Sequence, residues 1–139
     1  MKIQQFSNLV GNYSLPPKGG KENPIGDVID KLTISPLQIG LDILDGSMGL
    51  AYTSGSFPTT FQVAGYTVGA AHGALAIGYT FGAADQSPDV AHSRVSKAFG
   101  HALLAAGHIS GAAGAGAWSL APLIGGMVVT TLQDFRDRN

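Results

Sequence analysis

The sequence has no cysteine among its 139 residues, which excludes thiol nucleophiles, thiolate-bound metals and disulfide frameworks. Charged residues are also scarce, at 12% of the chain, against roughly 25% in soluble domains. The Lys and Arg residues are scattered and the net charge is -1, so the chain lacks the clustered positive charge that binds nucleic-acid phosphates. We therefore expect no nucleic-acid partner.

Two long stretches of the chain carry no charged side chain. Residues 46–84 and 98–133 contain no Asp, Glu, Lys or Arg, and all formal charges lie in residues 1–45, 85–97 and 134–139. A membrane-spanning helix needs about 20 mostly apolar residues, and each stretch is long enough for one. Polar residues interrupt both stretches, however, and the mean hydropathy is only +0.19. The layout is a polar arm, two apolar segments around a short polar linker, and a polar tail.

Proline residues mark the predicted helix starts. Proline is favoured at the first helical position and Ser or Asn just before it, which predicts starts at Asn23-Pro24, Ser35-Pro36 and Ser87-Pro88, with Pro58 as a fourth. The sequence predicts one all-α domain over residues 1–139. It is expected to begin with an irregular arm over 1–22 and short helices within 23–57, at 24–32 and 36–50. A Gly/Ala-rich helical hairpin follows over 58–120, with helices near 58–84 and 88–119. The chain ends in a C-terminal helix with a polar tail over 121–139, and Pro122 breaks or kinks the chain at the start of this helix.

A strand competes with a helix for residues 59–84. Leu75, Ile77, Tyr79 and Phe81 alternate with small or polar residues, which is the period of a half-buried strand. Glycines in the same segment recur every four residues, which places them along one stripe of a helix. We favour the helix.

Glycine stripes occur in both apolar segments. A glycine in a helix interior costs about 1 kcal/mol relative to alanine, so a packing gain must offset the cost. Small residues at spacings of three and four let two helices approach closely. We expect Gly65, Gly69 and Gly73 to form the closest helix–helix contact. The predicted helix-packing residues are Gly65, Gly69, Gly73, Gly78, Gly82, Gly107, Gly111 and Gly114.

The histidines His72, His92, His101 and His108 raise the question of a metal site. A metal pair on one helix needs a spacing of three or four residues, whereas His101 and His108 are seven apart, and the only glutamate is Glu22. We therefore expect no metal and no cofactor. Hydrogen-bonded packing is the favoured role for the histidines, and a polar interhelical contact or a pH sensor stays open.

Motifs for catalysis are missing as well. The sequence contains no G-x-S-x-G, S-x-x-K, H-E-x-x-H or G-x-x-x-x-G-K-[ST]. An enzyme needs at least two positioned titratable groups, and the predicted helices offer only histidines. We expect a non-enzymatic protein without catalytic residues.

Residues 58–120 resemble the pilins of conjugative (type IV secretion) systems in their layout. Two apolar Gly/Ala-rich helices are joined by a charged loop from Asp85 to Lys97, which also carries Asp89 and Arg94. The resemblance implies a helical hairpin that is inserted into a membrane, extracted into a tubular filament and packed with lipid, with the loop facing the lumen.

These observations predict a self-assembling structural subunit of a membrane-linked or filamentous assembly, whose partners are further copies of the chain and lipid. The amino terminus lacks the apolar run of a secretory signal, and we expect a membrane-associated or extracellular assembly. Two alternatives stay open. One is a pore-forming or translocation toxin-like protein whose residues 58–120 insert as a hairpin, and the other is a helical coat protein of a filamentous virus.

Overall fold

The computed structural model describes residues 23–33, 36–55 and 57–137, and these residues form helices without any strand. The all-α prediction is confirmed, and the segment 59–84 is a helix. The predicted arm over 1–22 lies outside the described residues. In chain order the elements are α1 (Pro24–Thr33), α2 (Pro36–Tyr52), α3 (Thr59–Ala83), α4 (Pro88–Ala112), a short 3-10 helix (Gly116–Ser119) and α5 (Leu120–Asp137).

The helices begin where the proline residues predict, but the caps differ. The Asn23 side-chain oxygen accepts a hydrogen bond from the Gly26 amide at 3.1 Å, which caps α1. Ser87 precedes Pro88 at the start of α4 and makes no side-chain capping bond. The Asn23 amide group also donates to three carbonyls at the end of α3, so that one residue caps α1 and ties it to α3. Ser35 lies outside the described residues.

The fourth helix ends earlier than the predicted residue 119. It stops at Ala112, after which Gly114 and Gly116 have φ angles of 90° and 59°. Residues that carry a Cβ atom rarely adopt this left-handed backbone conformation, and the two glycines let the chain turn there. Pro122, predicted to break or kink the chain, lies in the first turn of α5, where a proline is tolerated.

The linker between α3 and α4 is as short as the predicted start at Ser87-Pro88 requires, and shorter than the charged loop of the pilin resemblance. Only residues 84–87 separate the two helices, and of the expected loop residues Asp85 alone lies there, with a φ of 57°. The others, Asp89, Arg94 and Lys97, belong to α4 because the helix begins directly at Pro88. The expected charged loop from Asp85 to Lys97 is therefore wrong.

Helix α4 is the centre of the fold, and its most extensive contacts are with α3 and α5. Helix α1 packs mainly on α3, while α2 packs on α4 and α5. A close backbone approach involves Gly100 of α4 and Gly126 of α5, because a Cβ atom added to Gly126 would lie 2.7 Å from the Gly100 carbonyl oxygen. The expectation that Gly65, Gly69 and Gly73 together form the closest helix contact is wrong, because an added Cβ atom at Gly73 would have nothing within 4 Å.

The predicted glycine stripes pack helices only in part. A Cβ atom added to Gly69 would lie 2.9 Å from the Ile109 side chain of α4, whereas one added to Gly73 or Gly114 would have nothing within 4 Å. On the turn of α3 that holds Gly73, the residue that contacts α4 is His72. Gly114 lies in the turn after α4. Gly78 faces only the flexible side chain of Ile29. The predicted glycines with close contacts to other elements are Gly65, Gly69, Gly78, Gly82, Gly107 and Gly111.

The interior of the described chain is unusually polar and its surface unusually apolar. The buried apolar residues are Met48, Tyr52, Val68, Tyr79, Val90, Ala98, Leu104, Ala105, Ala112 and Leu123. The buried polar residues are Asp30, Asp45, His72, Ser93, Arg94, His101, His108, Ser119, Thr130 and Gln133. The exposed large apolar residues are Ile25, Val28, Ile43, Leu44, Leu50, Val63, Tyr66, Ile77, Phe81, Val95, Phe99, Ile109, Trp118, Ile124, Val128, Leu132 and Phe135. Among the described helices, none combines the length and hydropathy required of a membrane span.

Candidate functional site

Three helices bring a carboxylate and two histidines together in the interior. One oxygen of Asp45 on α2, Oδ1, lies 3.0 Å from Nε2 of His72 on α3 and 2.8 Å from Nε2 of His108 on α4. All three side chains are fully buried. Two further side chains extend this group, and we call the set Asp45, Tyr52, His72, His101 and His108 the histidine cluster.

The two outer members of the histidine cluster contact the far side of each imidazole ring. Nδ1 of His72 lies 2.9 Å from Nδ1 of His101, and Nδ1 of His108 lies 3.1 Å from the Tyr52 hydroxyl. The cluster is therefore a hydrogen-bonded chain that runs from His101 through His72, Asp45 and His108 to Tyr52.

The ionised Asp45 supplies the negative charge of the cluster. Burial alone raises the pKa of Asp45, but the hydrogen bonds and charges of His108 and His72 outweigh it and hold the pKa below its usual 3.8. Burial lowers the pKa of His101 to about 4, with the charge of His72 acting in the same direction. Burial raises the pKa of Tyr52 to about 12. At neutral pH Asp45 is an anion, His101 is neutral and Tyr52 keeps its proton.

These charges assign the protons when His72 and His108 are neutral. A carboxylate only accepts hydrogen bonds, so both Nε2 atoms donate to Asp45, and each ring is left with Nδ1 as an acceptor. The Tyr52 hydroxyl then donates to His108, and Nδ1 of His101 donates to His72. Every contact of this hydrogen-bonded chain of side chains has one donor and one acceptor. The second oxygen of Asp45, Oδ2, is nevertheless buried without a hydrogen-bond partner.

The rings of the cluster lie nearly parallel to one another between α3 and α4. The ring centroid of His72 lies 5.2 Å from that of His101 and 5.7 Å from that of His108, with interplanar angles of 22° and 3°. The ring of Tyr79 is also nearly parallel to that of His101, with centroids 5.6 Å apart, and the Lys97 ammonium group lies 5.9 Å from the centre of the Tyr79 ring. Aromatic and polar side chains thus fill space that hydrophobic residues occupy in an ordinary helical bundle.

Local helical geometry and glycine positions explain how the site forms. Asp45 and Tyr52 are seven residues apart on α2, as are His101 and His108 on α4, so each pair lies on one helix face. A Cβ atom added to Gly111 would collide with the Tyr52 ring. A glycine at this position therefore gives the aromatic ring its space beside α4.

Arg94 forms a second buried polar contact, one heptad before His101. Its guanidinium group donates at 2.6 Å to an Asp30 carboxylate oxygen on α1 and at 2.6 Å to the Gly82 carbonyl at the end of α3. Gly26 leaves room for this group, since an added Cβ atom would collide with it. Arg94 was expected in a charged loop and instead joins α1 and α3 to α4.

Lys97 joins α4 to α5 in a similar way. Its ammonium group lies 2.9 Å from carboxylate oxygens of both Asp134 and Asp137. Ser93 and Gln133 donate further hydrogen bonds to Asp137. The carboxyl end of α5 is therefore held by a charged network rather than by apolar packing.

Sequence reasoning missed this site because it considered histidines along single helices. The Asp45–His72–His108 group takes one residue from each of three helices, and no spacing along the chain reveals it. The available signal was the heptad spacing of Arg94, His101 and His108, which marks one face of α4 as polar. His92 is exposed on α4 and lies apart from the cluster.

Comparison with protein-family models, curated proteins and solved structures finds no match to this chain.

Proposed function

We propose that this protein is a non-enzymatic, self-assembling helical subunit, and that further copies of the chain cover its apolar outer surface. The observation that carries this proposal is the distribution of side chains, with ionisable groups buried in the interior and many large apolar side chains exposed. Phe81 and Phe99, for example, are 62% and 59% exposed, while His72 and His108 are inaccessible to solvent. Exposed apolar surface on this scale typically marks an interaction surface.

Two separate apolar faces favour contacts between copies. An apolar groove of about 400 Å³ lies between α3 and α4, lined in part by Phe81 and Phe99. On α5, Ile124, Val128 and Leu132 follow one another at intervals of four residues and are all exposed, which forms an apolar ridge. When a face of one copy binds a different face of the next, the contacts generate rings or filaments.

The described grooves also support a structural rather than catalytic role. The groove between α3 and α4 is lined by apolar and small residues and by Thr80, and a shallow depression beside the ridge of α5 by Met127, Val128, Thr131 and Leu132. Neither contains a titratable side chain that could act as an acid or base. The titratable groups of the histidine cluster are buried.

The test replaces the two aromatic residues of the groove. We expect the double variant Phe81→Ser/Phe99→Ser to have a much lower weight-average mass than the wild type in sedimentation experiments without detergent, because the covered apolar area is lost. Circular dichroism should show the same helical content, since both side chains point away from the core.

The matched control is Thr67→Ser/His92→Ser, which changes one exposed polar residue on each of the same two helices. It should assemble like the wild type. An unchanged mass for Phe81→Ser/Phe99→Ser would contradict the proposal, and so would a monomeric wild type. If lipid rather than another copy covers the groove, the wild type will be monomeric and will bind lipid vesicles.

A further inference from the structure

We infer that Asp45, His72 and His108 form a binding site for one divalent transition-metal ion, with Zn²⁺ as the best fit. Their three ligand atoms lie within 4.8 Å of one another, and each comes from a different helix. Two imidazole nitrogens and one carboxylate oxygen are an established ligand set for Zn²⁺. The inference does not depend on whether the chain assembles.

The distances require only a small opening of the site. The Asp45 oxygen is 3.0 Å from Nε2 of His72 and 2.8 Å from Nε2 of His108. Tetrahedral Zn²⁺ with bonds of about 2.0–2.1 Å separates its ligand atoms by about 3.3 Å. The contacts of Asp45 with His72 and with His108 therefore need to open by only a few tenths of an ångström.

The second oxygen of Asp45 is the observation that points to a ligand. Oδ2 is buried and has no hydrogen-bond partner, although a buried polar atom is normally satisfied. A metal ion held by both oxygens of Asp45 would satisfy Oδ2 and have four ligand atoms, in a geometry distorted from tetrahedral because the two oxygens of one carboxylate lie closer together than tetrahedral ligands. In a cluster that served packing alone, this oxygen would stay without a hydrogen bond, at an energetic cost.

The outer contacts are those that a metal site needs. A histidine that binds metal through Nε2 carries its proton on Nδ1 and usually donates it to a nearby acceptor, which fixes the ring. Nδ1 of His108 would donate to the Tyr52 hydroxyl, and Nδ1 of His72 to Nδ1 of His101, through contacts of 3.1 and 2.9 Å that already exist. His101 then carries its proton on Nε2. The same contacts thus serve the metal-free and the metal-bound state, with the donor and acceptor exchanged.

The experiment measures metal binding by the full-length protein without an affinity tag. After chelation and exhaustive dialysis, the protein is titrated with Zn²⁺, and bound metal is measured by plasma mass spectrometry. Co²⁺ is titrated in parallel, because its visible absorption reports coordination by nitrogen and oxygen ligands. We expect one equivalent of metal per chain and an intense absorption typical of four-coordinate Co²⁺.

Variants distinguish the site from other histidines. Asp45→Asn keeps an oxygen that accepts hydrogen bonds but loses the anionic ligand, and we expect at least about 100-fold weaker Zn²⁺ binding with unchanged helical content. His72→Gln provides the same comparison where Asp45→Asn does not fold. His92→Asn removes an exposed histidine from α4 and should bind Zn²⁺ like the wild type.

Failure of the wild type to bind stoichiometric Zn²⁺ or Co²⁺ would overturn the inference, whatever the variants do. Equal Zn²⁺ binding by wild type and folded Asp45→Asn or His72→Gln would also overturn it. Sedimentation of the metal-free wild type separates this result from the proposed function, because assembly through the apolar groove does not involve the three ligands.

Discussion

Asp45 contributes more to the interior than its single charge suggests. One of its oxygens accepts hydrogen bonds from two histidines on two other helices, so the residue links α2 to both α3 and α4. Removing one partner of a buried charged pair typically costs about 3–5 kcal/mol, because the remaining groups are left unsatisfied. Individual polar residues therefore determine how the helices fit together in this protein.

Tyr52 offers a test of the hydrogen-bonded chain at its end. In Tyr52→Phe the ring still fills the space beside Gly111, but Nδ1 of His108 loses its only described donor. We expect the free energy of unfolding to fall by about 1–3 kcal/mol, the usual cost of a buried unsatisfied group. The measurement is denaturant unfolding at a fixed protein concentration.

Tyr66→Phe is the matched control, because Tyr66 is an exposed tyrosine on α3. It should change the free energy of unfolding by less than about 0.5 kcal/mol, as surface substitutions usually do. Equal losses in both tyrosine variants would show that the contact between Tyr52 and His108 has no special role.

At the scale of the helices, the crossing of α3 and α4 depends on glycine at particular positions. In Gly69→Ala the new methyl group would lie 2.9 Å from the Ile109 side chain and 3.3 Å from the Ala105 carbonyl oxygen. We expect a loss of about 1–3 kcal/mol in the free energy of unfolding, because the two helices must separate. Thermal unfolding followed by circular dichroism measures this loss.

Gly73→Ala is the comparison within the same helix. An added methyl group meets nothing within 4 Å there, so helix propensity should raise stability by up to about 1 kcal/mol. Losses of similar size at both positions would contradict close packing at Gly69.

The contact between α4 and α5 is expected to respond to acid. Burial by itself raises the pKa of Asp137, but the hydrogen bond and charge of Lys97, with help from Ser93 and Gln133, hold the pKa below its usual 3.8. A lowered folded-state pKa gives stability that is present above the unfolded value and lost as pH falls through the folded value. Lys97 stays charged in this range, since its pKa is raised by Asp134 despite burial.

The measurement is the free energy of unfolding at a series of pH values from about 6 down to about 2. We expect Asp137→Asn to be less stable than the wild type near neutral pH, and the difference to shrink below about pH 4. Asp85→Asn, in the exposed linker, is the control and should follow the wild-type curve. A constant difference in the free energy of unfolding between Asp137→Asn and wild type at all pH values would contradict the lowered pKa of Asp137.

The helices could be predicted from the sequence more fully than their contacts could. Pro24, Pro36 and Pro88 begin helices because local geometry alone favours proline there. The end of α4 at Ala112 depends on two glycines with positive φ, and alanine-rich sequence on both sides gave no signal for it. Charge along residues 85–97 does not indicate an exposed loop, because Arg94 and Lys97 on α4 pair with carboxylates of α1 and α5.

At the scale of the whole molecule, the described residues combine a partly polar interior with many exposed apolar side chains, which is unusual for an isolated globular domain. Charged and polar side chains link the helices from within, beside a small set of buried apolar residues, while many large aromatic and aliphatic side chains are exposed. The scarcity of charge along residues 46–84 and 98–133 predicted an uncovered apolar surface. It could not predict the buried histidine cluster, because that depends on how α2, α3 and α4 pack in three dimensions.

The most direct test of self-assembly is the absolute mass of the wild-type protein in solution. Light scattering coupled to size-exclusion chromatography measures this mass with and without a mild detergent, and negative-stain imaging records the particles. We predict particles much heavier than the 14.2 kDa chain without detergent, and smaller particles when detergent covers the apolar faces. A stable, detergent-free monomer of 14.2 kDa would contradict the account.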